Sequence, residues 1–332
     1  MERALIIAEA GVNHNGDINV AKKLVLAAKE CGADIVKFQT ADLSSLVSKY
    51  AMMADYQKRN IGRETNQRDM LEKLMLSYDE FIELYSFCNK AGIRFLSTPF
   101  DIKSIKFLKD LGCSFWKVPS GEVTNLPYLV EIAKTHKPVI LSTGMCTMDE
   151  IEEAVKILEQ YGSSSITLLH CTTEYPTSFG HVNLKAMLSL YNRFLKPVGY
   201  SDHTEGIEIP VAAVAMGAVV IEKHFTLDRK MEGPDHKASL EPAGLKKMVK
   251  AIRNVEAALG NGIKQPFPEE LKNRVAARKS IVASRDICKG EVFDVDNITT
   301  KRPGNGISPM EWFNVLGKTA KKDFKEDELV EL

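Results

Sequence analysis

Eight short apolar runs, each finishing in polar or charged residues and followed by a segment of helical period, constrain this chain more than any other feature. They are Leu5–Glu9, Asp34–Phe38, Arg94–Ser97, Phe115–Val118, Val139–Ser142, Thr167–His170, Val198–Tyr200 and Val219–Glu222. The runs are nearly continuous hydrophobics rather than in-out alternators, which is the texture of parallel strands covered on both faces. Helical period marks Val20–Lys29, Tyr78–Lys90, Ile102–Leu111, Leu126–Thr135, Met148–Tyr161, Leu184–Tyr191, Ile207–Met216 and Pro242–Leu259. A glycine follows five of these helices, where a left-handed residue ends a helix at least cost. The expected fold is therefore α/β, eight βα units closed into a TIM (β/α)8 barrel. An open doubly wound sheet is the weaker alternative, because no G-x-G-x-x-G follows the first strand.

The barrel accounts for residues 1–260 of the 332. A Gly/Pro-rich linker over 261–272 leads to a small β-rich domain at 273–332, with strand-like pieces at Ser280–Ala283 and Glu291–Asp294 and a short helix at Pro309–Val315. That tail is expected to have little core of its own. The connection after the second strand, Thr40–Leu76, is out of proportion and carries Tyr50, Met52, Met53, Tyr56, Gln57 and a helical stretch Gln67–Leu76. Connections of that length on a barrel usually form part of the reacting face.

Charge narrows the partners. Basic and acidic residues balance at 44 each, with no long block of one sign, which argues against nucleic acid or an anionic membrane. Six scattered cysteines without a C-x-x-C pair read as reduced thiols. The first residues run straight into a strand, unlike a signal peptide, and no apolar run reaches the ~18 residues a membrane span needs. A cytoplasmic protein is the expectation.

The strand ends carry the chemistry. In order they deliver Glu9 with Asn13, His14 and Asn15; Lys37 and Gln39; Ser97 and Thr98; Lys117, Ser120 and Glu122; Ser142 and Thr143; His170, Thr172, Thr173, Glu174 and Tyr175; Ser201, Asp202 and His203; and Glu222, Lys223 and His224. Lys37, Lys117, Ser120, Ser142 and Thr143, beside Gly121 and Gly144, suit a compact phosphate-bearing acid. Helix capping explains some of the hydroxyls but not the strand-end lysines. A Schiff-base lysine at Lys37, Lys117 or Lys223 is the competing reading. His203 and His224 close consecutive strands with carboxylates near by (Asp202, Glu222, Asp235), which suits a half-open divalent metal site. Nitrogen and oxygen ligands without thiolate favour manganese, with magnesium or cobalt as alternatives. His14 and His236 are additional pocket candidates, while Met145 and Cys171 read as packing residues.

These residues resemble the sialic acid synthase family of nonulosonate synthases, on the motifs EAGVNHNG (Glu9–Gly16), VKFQT (Val36–Thr40), LSTPF (Leu96–Phe100), KVPSGE (Lys117–Glu122), STGM (Ser142–Met145), HCTTEYP (His170–Pro176), YSDHT (Tyr200–Thr204), EKHFT (Glu222–Thr226) and GPDH (Gly233–His236). The tail, with KGEV (Lys289–Val292) and KRPGNG (Lys301–Gly306), resembles the antifreeze-like (SAF) domain that follows the barrel in that family. The resemblance implies metal-dependent condensation of phosphoenolpyruvate with an open-chain N-acylated mannosamine-type sugar, releasing phosphate. It implies His203 and His224 as metal ligands, and Lys37, Thr98, Lys117, Ser120, Ser142 and Ser201 around phosphoenolpyruvate with Gln39 beside it. Asp235 and Tyr175 would face the sugar, with Asn15, Thr173 and Glu174 as further substrate contacts. Glu222, Asp235 or a metal-bound hydroxide would handle the water proton. Arg302 would reach the partner's site in a domain-swapped homodimer.

Within that family the N-acetylneuraminate pattern has KHQT where this chain has Phe38, and Asn where it has Thr173 followed by Glu174. HCTTEYP, ADYQ (Ala54–Gln57) and QRDMLEKLMLS (Gln67–Ser77) look more like synthases of N,N′-diacetyllegionaminic acid. Their sugar is 2,4-diacetamido-2,4,6-trideoxymannose; N-acetylmannosamine and the pseudaminate precursor are the alternatives. Phe38 and the segment Ala51–Ala54 are expected to line a more apolar sugar pocket.

Overall fold

In the computed structural model, which describes residues 3–48 and 67–332, the chain divides into two compact units, Met1–Gly260 and Asn261–Leu332. The first unit contains eight parallel strands: β1 (Leu5–Gly11), β2 (Ile35–Thr40), β3 (Arg94–Pro99), β4 (Trp116–Val118), β5 (Val139–Ser142), β6 (Ile166–His170), β7 (Val198–Asp202) and β8 (Val220–His224). Their order is β3-β2-β1-β8-β7-β6-β5-β4, and β3 packs beside β4, so the sheet curls into the expected (β/α)8 barrel. Helices separate successive strands. Capping boxes start two of them, Ser77 with Glu80 before Tyr78–Ala91 and Thr147 with Glu150 before Met148–Gln160.

Period-two alternation sorts each strand into two faces. Residues such as Ile6, Ala8, Val36, Phe38, Leu141, Tyr200 and Ile221 join the large core under the helices. The inward set makes a separate cluster, Ile7, Ile35, Leu96, Ile140, Leu169 and Val220, which plugs the barrel floor. One inward step further along the same strands stand Glu9, Lys37, Thr98, Ser142, Cys171 and Glu222. The register fixes their neighbours: Glu9 lies opposite Lys37 and Ser201 opposite Glu222. An apolar plug thus carries a polar ring directly above it.

The alternation corrects three expectations. Phe38 lies between two inward residues, points outward and stacks on Phe95 at 6.0 Å, so it does not line the pocket. Lys223 and Asp202 also face outward, where the two form a fully buried ion pair and Lys223 donates to the Thr204 carbonyl at 2.5 Å. Asp202 is therefore turned away from the two histidines, and Lys223 is no candidate for a Schiff base.

Of the long connection, Leu43–Leu46 and Gln67–Glu72 are helical. The residues singled out at Tyr50, Ala51–Ala54, Tyr56 and Gln57 lie outside the described residues. Among the described residues no helix is long and apolar enough to cross a membrane.

The second unit begins with a helix at Pro268–Ala277 and holds an antiparallel pair, β9 (Ser280–Ala283) with β10 (Ile298–Lys301). Glu291–Asp294 is not a strand; it contributes only an isolated bridge between Val292 and Thr319. Against expectation the unit has its own core, built from Ile281, Ile287, Phe293, Ile298, Val315, Phe324 and Val330.

Candidate active site

A cavity of about 340 Å³ opens at the carboxyl ends of the barrel strands, the face on which such barrels react. Its floor is the polar ring. Lys37 Nζ lies 2.8 Å from Glu9 Oε2, 3.6 Å from Glu222 Oε2 and 3.0 Å from Thr98 Oγ1, while Lys117 Nζ is 3.4 Å from Glu222 Oε1. Ser201 donates to Glu222 Oε1 at 3.1 Å, and Gln39 donates to Glu9 Oε1 at 3.0 Å. All four charged groups are buried, so each depends on the others for its charge.

The electrostatics follow from that arrangement. Burial pushes the Glu222 carboxyl upward, but Lys117 and Lys37 outweigh it and bring it down to about 2. Burial, with the Glu222 charge adding, raises Glu9 despite Lys37. The two lysines separate. Burial lowers both, but the two carboxylates carry Lys37 above its ordinary value whereas Lys117 stays below it. Asp235, on the cavity wall, is raised to about 7 by burial and secondarily by Glu9.

Ser142 and Ser120 line the lysine side. Ser142 Oγ is buried without a hydrogen-bond partner, and Ser120 Oγ accepts from the Gly144 amide at 2.8 Å. Thr143 does not join them, because its hydroxyl donates to the Leu169 carbonyl at 2.9 Å.

His203 and His224 converge at the rim with ring centroids 5.5 Å apart. Tyr175 packs 4.2 Å from the first ring and 5.7 Å from the second. His203 Nδ1 donates to the Thr172 carbonyl at 2.6 Å, which leaves its Nε2 lone pair available. His224 Nδ1 is buried without a hydrogen-bond partner. Burial depresses both imidazoles, keeping them neutral as metal ligation requires. The pair therefore fits a divalent cation as two nitrogen donors. Among the described residues no three His, Cys, Asp or Glu side chains gather around a common point.

Lys37, Gln39, Thr98, Lys117, Ser120, Ser142, Thr173, Tyr175, Ser201, His203, Glu222, His224 and Asp235 all line the cavity. Two other candidates of the barrel unit do not. Glu174 alternates outward between Thr173 and Tyr175 and pairs with His181 Nδ1 at 3.0 Å. Asn15 donates to the Glu232 carbonyl at 2.8 Å and meets His236. Arg302 belongs to the second unit, where it is exposed and donates to the Ala277 carbonyl at 3.1 Å. Nor do His14 and His236 reach the cavity: His14 packs against Phe38 and His236 bonds to Thr226.

Sequence reasoning missed part of the wall. Met145 is 71% exposed and lines the cavity instead of packing in the core, and Cys171 lines it as well. Val12, Leu46, Val47, Leu71, Met75 and Phe100 make an apolar side. Four of these six belong to the long connection whose length had marked it as functional; their individual roles left no local signal. Glu9 had stood among the strand-end polar residues without a role.

Fold and site together define a barrel enzyme with a floor of two lysines and two carboxylates and a two-histidine rim. The chain belongs to the NeuB family, which it matches over residues 24–264, and residues 278–331 match the SAF domain. It is 54% identical to the N,N′-diacetyllegionaminic acid synthase of Campylobacter jejuni, over 99% of each chain. It is 49% identical to the enzyme of the same name from Legionella pneumophila, over 94% of this chain and 89% of that one. The crystal structure of an N-acetylneuraminic acid synthetase from Leptospira borgpetersenii, solved with citrate, superposes with a TM-score of 0.72 at 34% identity, covering 82% of this chain and 90% of that one.

Proposed function

We propose that the protein condenses phosphoenolpyruvate with 2,4-diacetamido-2,4,6-trideoxymannose to give N,N′-diacetyllegionaminate and inorganic phosphate. The observation that carries this reading is a cavity lined by both charged and apolar side chains. Buried Lys37, Lys117 and the unpartnered Ser142 hydroxyl offer an anion site, and Val12, Leu46, Val47, Leu71, Met75 and Phe100 offer apolar surface in the same cavity. A sugar that has exchanged its 6-hydroxyl for a methyl and gained a second acetamido group suits such a surface. Identity to the two legionaminic acid synthases supports the same choice.

In this mechanism Lys37, Lys117, Ser120 and Ser142 hold the phosphate and carboxylate of phosphoenolpyruvate. C3 of phosphoenolpyruvate bonds to the aldehyde carbon of the open-chain sugar, whose oxygen takes up a proton. Water adds at the resulting cationic C2 and loses a proton, and the C2–O bond then breaks to release phosphate. Glu222, held ionised by two ammonium groups, balances the cationic centre. Asp235, with its carboxyl near neutrality, accepts the proton from water. His203 and His224 would hold a divalent cation, manganese by preference, which polarises the sugar carbonyl. Tyr175 packs against both rings and orients them.

Steady-state kinetics with the two sugars test the assignment. The expected result is a kcat/KM for the diacetamido trideoxy sugar well above that for N-acetylmannosamine, and the reverse order overturns it. A domain-swapped homodimer, in which Arg302 serves the partner's site, extends the proposal on the family resemblance. Mixing the inactive variants Arg302→Ala and Lys117→Ala should then restore part of the activity, and no recovery after verified subunit exchange rejects it.

A further inference from the structure

The segment carrying Asp235 is held by a chain of hydrogen bonds whose direction the Asn15 amide sets. Asn15 Nδ2 donates to the Glu232 carbonyl at 2.8 Å, so the Asn15 oxygen faces the other way, 3.3 Å from His236 Nε2. An amide oxygen only accepts, so His236 carries its proton on Nε2. That leaves His236 Nδ1 as an acceptor, 2.7 Å from the Thr226 hydroxyl just beyond β8, which also lies 3.2 Å from the Asp228 carbonyl and gives its one proton to the nearer ring nitrogen. Burial keeps the ring neutral, with its pKa lowered to about 4. A second tie runs beside the first: Asn13 donates to Ser239 Oγ at 3.0 Å, and Ser239 donates to the Asp235 carbonyl at 2.6 Å.

The backbone is shaped for this contact. Gly233 has φ +153°, and a Cβ there would lie 2.6 Å from His236 Cδ2 and 3.0 Å from the Asn15 oxygen. Asn15 itself sits at φ +52°, a left-handed conformation that asparagine tolerates. None of the three contacts a substrate-sized space, since neither Asn15, Gly233 nor His236 lines the cavity.

We infer that Asn15 and His236 are positioning residues that act as one unit, clamping Gly233-Pro234-Asp235 so that the Asp235 carboxylate faces the sugar subsite. The inference rests on the proposed role of Asp235 in the condensation. Its consequence is selective: disturbing the clamp moves Asp235 and leaves Lys37, Lys117 and Ser142, on other strands, where they are.

The test compares His236→Ala, His236→Gln, Asn15→Gly and the double variant Asn15→Gly/His236→Ala. Glycine is chosen at position 15 because it keeps the left-handed backbone while deleting the side chain. Phosphate release from phosphoenolpyruvate and the diacetamido trideoxy sugar gives kcat and both KM values, with circular dichroism to verify folding. Each deletion should lower kcat about 10- to 100-fold, the scale of a misplaced catalytic group, with KM for phosphoenolpyruvate changed less than about twofold. The double variant should be no worse than the poorer single one, because the two side chains form one device. His236→Gln, which retains a donor toward Asn15, should recover part of the loss.

Multiplicative losses in the double variant, or a matching rise in KM for phosphoenolpyruvate, overturn the inference. Should a variant fail to fold, the 15N shifts of His236 in the wild-type protein decide: a protonated Nδ1 removes the chain's direction and with it the inference. A wild-type enzyme that turns over neither sugar refutes the proposed function instead, while the tautomer measurement still reads the clamp.

Discussion

Lys117 Nζ lies 3.4 Å from Glu222 Oε1 at the base of the cavity, with each side chain almost wholly buried. The two residues sit on β4 and β8, which are the end and the middle of the hydrogen-bonded strand order, so the pair spans the barrel. A carboxylate in that position leaves the floor balanced until an anion arrives and competes for the ammonium.

Removing the ammonium should therefore cost substrate capture and chemistry together. Lys117→Met is expected to lower kcat/KM for phosphoenolpyruvate at least about 100-fold, the scale on which removal of a preorganised electrostatic contact is felt. The Glu222 carboxyl should rise at the same time, since Lys117 is the strongest of the charges holding it down. Initial rates at varied phosphoenolpyruvate measure the first effect, and a loss below tenfold contradicts the assigned role.

Asp235 makes a prediction in pH. Its carboxyl titrates near 7, and the proposed role needs the ionised form, so kcat should climb through about pH 7 and level off above it. Asp235→Asn should abolish that limb and lower kcat by roughly 100-fold or more. The same shift acts on stability with the opposite benefit. The folded value lies above the ordinary 3.8, so folding favours the protonated acid; this contribution is complete below about pH 4 and is lost as pH rises through 7. Asp235→Asn should accordingly raise Tm at pH 8 more than at pH 5, measured by differential scanning fluorimetry.

The strand periodicity made much of this site legible. Lys37, Lys117, Ser142, Ser201 and Glu222 follow apolar runs by the step that turns a side chain inward, and the structure brings them together. Phe38, Asp202 and Lys223 show the limit of reading strand ends as a group: one residue along, the same strand delivers its side chain to the helix layer. Loops carry no such period, so Asn15, Glu174 and His236 were collected as pocket residues although their bonds lead elsewhere. The apolar wall was hidden for a different reason. Val12 follows β1, while Leu71 and Met75 come from the long connection; Val12 packs with Leu74 in a small cluster that Leu71 and Met75 join through tertiary contacts.

Metal and Schiff-base chemistry separate cleanly. Exhaustive dialysis against EDTA should abolish phosphate release and Mn2+ should restore it, whereas His203→Ala and His224→Ala should each resist rescue. Borohydride added during turnover should leave no adduct on Lys37 or Lys117, because both ammonium groups are engaged with carboxylates. Lys223→Met should instead cost stability, about 3 kcal/mol for a broken buried pair, since it strands Asp202.

The apolar wall yields a prediction about selectivity. Leu71 and Met75 are partly buried and line the cavity together with Val12 and Val47. If the sugar's methyl groups lie against them, a polar side chain there leaves a hydrogen-bonding group facing hydrocarbon, a mismatch worth about 1–3 kcal/mol. Met75→Gln keeps the length and shape of the side chain while adding that group. It should reduce kcat/KM for the diacetamido trideoxy sugar about tenfold and leave KM for phosphoenolpyruvate unchanged, because the lysines proposed to hold the phosphate stand on β2 and β4 and not on the segment that carries Met75. N-acetylmannosamine, whose 6-hydroxyl can meet the new amide, should lose less or gain. Parallel kinetics on the two sugars read the ratio directly. An equal loss on both would assign the wall to general packing and leave the choice of sugar to other residues.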